Sequence, residues 1–423
     1  MPQLDINKLS DVCEAIIDCE HKTAPVVSEG YPSIRTPNIG KGCLLLDGVN
    51  RVSEEIYEKW TQRAKPKSGD LILAREAPVG NVAIIPNNLK VCLGQRTVLI
   101  RPDKTKIVGL YLLYLLLGDE IQARFHSQTA GATVAHLNVK DIKSLKLPQL
   151  PGQGTQRKIA AILSAYDDLI ENNLRRIKIL EEMAQNLYRE WFVKFRFPGH
   201  EKIRMVDSPL GPIPEGWEVM SLGELVRTQY GYTESSQEMP IGPKYLRGMD
   251  INKTTYINWD VVPYCPISNE VFLKYKLTVG DIVIIRMADP GKVGIVEKNV
   301  GAVFASYLVR LSRISNRIGP YYMFYFLIDE RYQGYITGAS TGTTRKSASA
   351  GVLTGVDLVI PPESLLADFE SKIQKFRCLL NNLIEKNNNL HRTRDLLLPK
   401  LISGEMDVSD LDIRVPELSV NHE

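Results

Sequence analysis

Gly338-Ala-Ser-Thr-Gly-Thr-Thr-Arg345 is the stretch of this 423-residue sequence nearest in type to a phosphate-binding loop. It lacks the lysine and the spacing with which such a loop cradles and neutralises a polyphosphate. No G-x-G-x-x-G follows a strand-like run. The Asn/Asp-Pro-Pro-aromatic signature of amino-methyltransferases is missing, because Pro361-Pro362 runs into Glu363 and Asp289-Pro290 into Gly291. Pro102-Asp103 has no nearby Glu-x-Lys to complete a nuclease metal site, and the six histidines form no His-Glu-x-x-His. A nucleophile elbow is also missing. The sequence therefore predicts no catalytic residue, no metal and no cofactor in this chain. A Ser-His-Asp set assembled only in space stays open at this level.

Length and composition bound what the chain can be instead. A chain of 423 residues suggests about two to four domains. The 44% hydrophobic content suffices for real cores, and a net charge of +3 excludes binding by bulk positive charge while leaving room for a local basic cleft. Six cysteines, none in C-x-x-C and none at zinc-ligand spacing with histidine, read as reduced, buried thiols of a cytoplasmic protein. The start, Met1 to Ala15, has neither the basic nor the apolar region of a signal peptide. The longest apolar run, Gly109 to Leu117, is too short to span a bilayer and reads as a buried helix.

An internal duplication organises the rest. Gly69-Asp-Leu-Ile-Leu-Ala-Arg75 recurs as Gly280-Asp-Ile-Val-Ile-Ile-Arg286, Gly80-Asn-Val-Ala-Ile-Ile85 as Gly291-Lys-Val-Gly-Ile-Val296, and Tyr111-Leu-Leu-Tyr-Leu-Leu116 as Tyr322-Met-Phe-Tyr-Phe-Leu327, all 211 positions apart. Leu169-Ile-Glu-Asn-Asn173 returns as Leu383-Ile-Glu-Lys-Asn387. The order is A–B–A′–B′. The A units read as mixed α/β, with strands in 69–74, 82–85 and 98–100, a helix over 108–125, and short final strands at 145–148 and 358–361 stopped by proline.

The B units are helical. Ile159, Ile162, Tyr166, Leu169, Asn173, Ile177, Leu180, Ala184, Leu187 and Trp191 follow steps of three and four, as do Ile373, Phe376, Leu380, Leu383, Asn387 and Leu390, with Leu397 and Leu401 beyond. This is the pattern of a coiled-coil seam. Thr155 and Ser364 are candidate N-caps, and Pro399 is expected to bend or end the second helix. Helices of about 40 residues, about 60 Å long, need a partner, and antiparallel pairing of the two would give an internal two-fold axis. Asn173 and Asn387, equivalent in the repeat, either fix the register or tolerate partial exposure. The fold class expected is α+β: two mixed α/β domains separated by two long antiparallel helices forming a coiled coil, with a pseudo-two-fold repeat. Such a chain reads as a binder or scaffold, and a bipartite DNA target suits two readers on a frame.

Several segments carry a family resemblance. Residues 156–200, from Gln156-Arg-Lys-Ile to Phe197-Pro-Gly-His200, resemble the central helix of type I restriction–modification specificity subunits. Val52-Ser-Glu-Glu55 through Arg75-Glu-Ala-Pro-Val-Gly-Asn81 is similar to the family's first target-recognition domain, and Pro214-Glu-Gly-Trp217 with Leu222-Gly-Glu-Leu225 to the start of the second. Leu396-Leu-Leu-Pro-Lys-Leu-Ile-Ser-Gly-Glu405 is similar to the C-terminal helix exit. The resemblance implies a target-recognition domain at 1–153, a central helix at 154–198, a second recognition domain at 199–363 with a linker at 199–216, a C-terminal helix at 364–405 and a tail at 406–423. It further implies that each recognition domain reads half of a split DNA site, that the helices set the spacer, and that they anchor two methylation subunits. Those partners would bind S-adenosylmethionine and methylate adenine at N6. Two motor–nuclease subunits using ATP and magnesium can be added. The alternative is a repeat scaffold that binds other proteins without reading DNA.

On that reading, phosphate contacts would supply affinity and base contacts sequence choice, with Arg suited to guanine and Asn or Gln to adenine. The candidates in the first reader are Arg35, Arg75, Gln95, Arg96, His136, Lys140 and Thr133 of the small-residue turn 129–133. In the second they are Arg247, Arg286, Lys292 and the donor-rich Thr343, Thr344, Arg345 and Lys346. Arg75 and Arg286, as repeat equivalents, alternatively pair with an acid, and His136 alternatively serves structure. Tyr188, Trp191, Phe192 and Phe195 are candidates for a methylation-subunit contact, or else pack on the adjoining reader.

Overall fold

A computed structural model describes residues 8–129, 136–340 and 346–415. Thr133, Thr343, Thr344 and Arg345 lie outside the described residues. The chain divides into two compact units, Met1–Ile170 with Asn389–Glu423, and Glu171–Asn388.

In the first unit, β1 (Cys13–Asp18), β4 (Leu71–Ala74), β5 (Val82–Ile84) and β7 (Thr97–Pro102) form an antiparallel sheet in the order β1-β7-β4-β5. A smaller sheet joins β2 (Tyr31–Ile34) to β3 (Arg51–Val52) and, in parallel, to β6 (Cys92–Leu93). Helix α1 spans Glu54–Trp60. Strand β4 is buried along its length, which is why its apolar residues run without alternation. The helix expected over 108–125 is two: α2 (Gly109–Leu117) and α3 (Asp119–Thr129), broken where Gly118 adopts an extended conformation. No strand forms over 145–148; Lys146 makes an isolated bridge to Lys8, and Val139–Lys143 precedes it as helix α4.

The second unit repeats the plan. Numbering on in chain order, α5 is the first long helix (Gln153–Tyr188), β8 is Met205–Val206, β9 Ile213–Pro214 and β10 Glu218–Ser221, with the short α6 (Leu222–Leu225) following. Then β11 (Val226–Tyr230), β13 (Ile282–Ile285), β14 (Val293–Ile295) and β16 (Leu308–Arg313) form a four-stranded sheet in the order β11-β16-β13-β14, and β12 (Lys244–Leu246) pairs in parallel with β15 (Ala302–Phe304). The registers of the central strand pairs match residue for residue: Leu71 faces Ile100 and Ile282 faces Leu311. The repeated Gly-Asp before each central strand is a turn device. Gly69 and Gly280 take φ of +84° and +91°, and the carboxylates of Asp70 and Asp281 accept from the backbone N–H of Lys67 (2.9 Å) and Thr278 (2.8 Å). A second shared device was not foreseen. Gln122 donates to the carbonyls of Gly80 and Leu116, and Gln333 to those of Gly291 and Leu327, tying the helix that follows the apolar helix to the same glycine turn.

The long helices are α5 and a final helix over Glu363–Ser403. Both begin before the expected caps: Thr155 is the third residue of one and Ser364 the second of the other. The final helix starts directly after Pro362, and α5 starts after Pro151-Gly152. Pro399 sits inside the final helix, close enough to its end that a single lost hydrogen bond does not stop it. Helix α5 passes at Arg189–Val193 into a π-helical turn.

Within the second unit Ile177 packs with Leu380, Leu383 and Ile384, and Asn173 donates to Asn387 at 2.8 Å. Within the first, Ile159 and Leu163 share a core with Leu401, and Arg394 pairs with Asp167. In both places rising numbers on one helix meet falling numbers on the other. The buried stripe of α5 runs through Ile159, Leu163, Ile170, Asn173, Ile177, Ala184 and Tyr188 and continues to Trp191 in the π-helical turn. Leu169, expected on it, is half exposed, because the stripe passes through Leu163 and Ile170 instead. Replacing Asn173 by leucine is expected to cost about 1–3 kcal/mol, since Asn387 loses a buried partner. The double replacement of Asn173 and Asn387 by leucine should recover most of it. Urea denaturation of the single and double variants checks this, and equal costs for both would show that the asparagines do not act as a pair.

Among the described residues no helix is long and apolar enough to cross a membrane. Cys43 and Cys378 are exposed, against the expectation of buried thiols, whereas Cys19, Cys92 and Cys265 are buried.

Candidate nucleic-acid interface

The candidate residues sort by what their polar atoms already hold. Arg75 follows β4 and is almost fully buried. Its Nη1 pairs with Asp18 at 2.7 Å, its Nε donates to the Leu137 carbonyl at 2.8 Å, and its Nη2 donates to His136 Nε2 at 2.6 Å. An arginine can only donate, so Nε2 of His136 is the acceptor and Nδ1 carries the proton, directed at Glu76 at 3.1 Å. Glu76 in turn pairs with Arg96 at 2.6 Å. Three candidates, Arg75, His136 and Arg96, thus form one internal chain with Asp18 and Glu76. Arg96 keeps its exposure, while Arg75 is spent on structure.

Arg35 differs. It follows β2, is exposed, and its guanidinium has no hydrogen-bond or ion-pair partner among the described residues. It borders a small concavity shared with Lys22, Ser33, Asn50 and Gln95. The floor is Gly94, whose N–H donates to the Ile34 carbonyl at 2.7 Å; a Cβ there would meet Arg35 Cγ at 2.5 Å. Gln95 donates from Nε2 to the His21 carbonyl at 3.0 Å, which leaves its amide oxygen as an acceptor. Arg35 and Gln95, chosen separately from sequence, are therefore neighbours. Lys140 is exposed on α4.

In the second unit Arg247 occupies the position of Arg35. It follows β12 as Arg35 follows β2, and each opens a short 3-10 turn whose third residue, Asn38 or Asp250, accepts from the arginine's own N–H at 3.1 and 2.8 Å. Asp250 also takes the side chain, at 3.1 Å from Nε and 3.0 Å from Nη2. Arg286 occupies the position of Arg75. Each donates its N–H across the sheet, to the carbonyls of Arg96 and Tyr307, and accepts from Leu137 and Ala348. The residue facing Val98 is Asp18 and that facing Val309 is Tyr230, so a carboxylate in one unit is a phenol ring in the other. The Arg286 guanidinium lies 4.9 Å from that ring's centre, and its Nε is buried without a partner among the described residues. Tyr230 is 44% exposed and held by the Ala350 N–H, which donates to its hydroxyl at 3.0 Å. A cation–π contact returns about 0.5–2 kcal/mol, whereas an unmade buried hydrogen bond costs about 1–3 kcal/mol. Arg286 is therefore left wanting an acceptor. Lys292 and Lys346 are exposed.

The aromatic candidates for a partner contact are inside. Tyr188, Trp191 and Phe192 are 2%, 5% and 2% exposed and pack with Tyr322 and Phe369; Phe195 lies edge-on to Trp217. The structure thus places Tyr188, Trp191 and Phe192 in the core of the second unit and Phe195, partly buried, against it, which is the packing alternative. Their spacing covers a broad face of the helix end, while Arg189, Glu190 and Lys194 keep the opposite side in solvent.

This architecture has counterparts. Residues 4–182 match the family model of the type I restriction modification DNA specificity domain. The specificity subunit of type I restriction enzyme MjaIX from Methanocaldococcus jannaschii is 29% identical over 385 residues, covering 86% of this chain and 83% of that protein. Over these spans the chain is similar to type I specificity subunits. A second type I specificity subunit from the same organism, that of MjaVIII, is 28% identical over 324 residues, 73% of each chain. The crystal structure of the S subunit from M. genitalium covers 95% of this chain and 97% of its own at 15% identity and a TM-score of 0.56, so the specificity-subunit fold is shared even where side chains are not. The mixed α/β units and long helices of the present chain are similar in fold to that S subunit.

Proposed function

We propose that this chain is the DNA sequence-specificity subunit of a type I restriction–modification complex and is itself non-catalytic. Each mixed α/β unit reads one half of a bipartite double-stranded target. The antiparallel helices separate the two recognition domains, set the spacer between the half-sites, and dock two methylation subunits that carry S-adenosylmethionine and methylate adenine at N6. Two motor–nuclease subunits using ATP and magnesium can be added to the same complex, which acts on cytoplasmic DNA. The observation that carries this reading is the duplication itself: two units with one strand order, one register and an arginine at each of two equivalent edge positions. Two readers of common design fit a target with two halves, where spacing on DNA mirrors protein geometry.

The test is a spacer measurement. Seven residues inserted into each long helix, continuing its heptad pattern, are expected to lengthen the preferred gap between half-sites and leave the half-site bases unchanged. Methylated-base sequencing of cells carrying the complete system reads both. A change in the half-site bases at constant spacing would show that reading and measuring have been assigned to the wrong parts. Loss of every bipartite motif's dependence on this chain would favour the alternative, a scaffold for other proteins.

A further inference from the structure

The two units use the same fold but leave different arginines available. Positions 35 and 247 are equivalent, as are 75 and 286, on the backbone hydrogen bonds and strand registers they share. In the first unit Asp18 holds Arg75, and Arg35 has no partner among the described residues. In the second unit Asp250 holds Arg247 by two of its nitrogens, and Arg286, facing Tyr230 where the first unit has Asp18, has a buried Nε with no acceptor among the described residues. Each unit therefore neutralises one member of the pair with its own carboxylate and presents the other, and the choice is reversed between them.

We propose that the first unit reads its half-site with Arg35 and the second with Arg286, while Arg75 and Arg247 serve structure. This rests on the DNA-reading function proposed above and narrows it to one guanidinium per unit. A guanidinium with free N–H groups forms two parallel hydrogen bonds to the O6 and N7 acceptors of guanine in the major groove. The neighbours differ in keeping with this. Arg35 stands beside Gln95, whose amide suits an adjoining base edge, whereas Arg286 lies on the exposed ring of Tyr230, a flat apolar surface suited to a thymine methyl or a sugar. Because the reading arginine departs from a different strand edge in each unit, the two half-sites present their essential guanine at different places, and the full target is asymmetric.

The experiment uses the full chain assembled with its methylation subunits and a library of double-stranded DNA in which both half-sites are randomised. Arginine-to-lysine changes keep the charge and remove the fork. R35K is expected to lose preference at one base position in one half-site and R286K at one position in the other, each with a roughly ten- to hundredfold fall in affinity for the best wild-type sequence. R75K and R247K are expected to lower the melting temperature and select the wild-type motif. Unchanged motifs for R35K and R286K, loss within the same half-site for both, or a motif altered by R75K or R247K would each overturn the assignment. If the wild-type complex selects no motif at all, the DNA-reading function itself fails, an outcome distinct from the others.

Discussion

Replacing Arg377 by alanine is expected to destabilise the 171–388 unit by about 3–5 kcal/mol, enough to remove much of the stability of an ordinary domain. Arg377 is 1% exposed on the final helix, on the stripe that also carries Ile373 and Leu380. Its Nε and Nη2 hold the carboxylate of Glu297 at 2.8 and 2.6 Å, Nη2 also donates to the Thr255 carbonyl at 3.0 Å, and the guanidinium faces the ring of Phe324. Burial alone would push the arginine toward losing its proton; the Glu297 carboxylate outweighs this and holds it charged. Truncation strands a buried carboxylate left only with neutral side-chain partners, Asn381 and Tyr321 among them. Removing both charges at once, as R377M with E297Q, should cost far less, because the desolvation of the two ions disappears with their attraction. Guanidinium denaturation followed by tryptophan fluorescence compares the two variants. A loss below about 1 kcal/mol for R377A would show that the pair is effectively solvated.

The second large effect concerns the aromatic cluster. Phe369→Ala and Phe192→Ala are each expected to cost about 3–5 kcal/mol, the range for emptying a fully packed aromatic site. Phe369 is fully buried and meets Phe192 edge-on at 4.8 Å between ring centres, with Tyr188, Trp191 and Tyr325 around it. The two losses should not add, since the rings are in contact. The experiment also separates core from docking surface. A partner-contact role predicts that F192A keeps its melting temperature and loses affinity for a methylation subunit; a core role predicts the reverse order of damage.

What could be read from sequence was what repeats. The 211-residue period exposed the two units, and the identity of strand order and register follows from the same turns and apolar runs occurring twice. Local chemistry also identified the long helices. Their seam was harder to read. Leu163 and Leu169 are equally apolar, and only packing decides that the first is buried and the second exposed. Arg377 occupies a seam position that hydrophobic spacing passes over, because the carboxylate that makes its burial tolerable lies 80 residues away. The parallel pairs were invisible for a similar reason, since Ser33 and Cys92 share no local pattern. Arg35 and Arg286 were legible as candidates, but their distinction from Arg75 and Arg247 depends on where Asp18, Asp250 and Tyr230 stand.

The final helix leads into a segment that closes on the first unit: Val408 is buried in the core that contains Leu9 and Leu163, and Lys158 donates to the Ser409 carbonyl at 2.6 Å. The 171–388 unit is one continuous stretch of chain, whereas the other is assembled from both ends of the sequence. During translation, then, the stretch made second can finish folding before the one made first, whose amino-terminal part must wait on the ribosome for residues beyond 388 to emerge. A stalled or prematurely stopped synthesis would leave its apolar sheet face unsealed, and that is the species chaperones would meet.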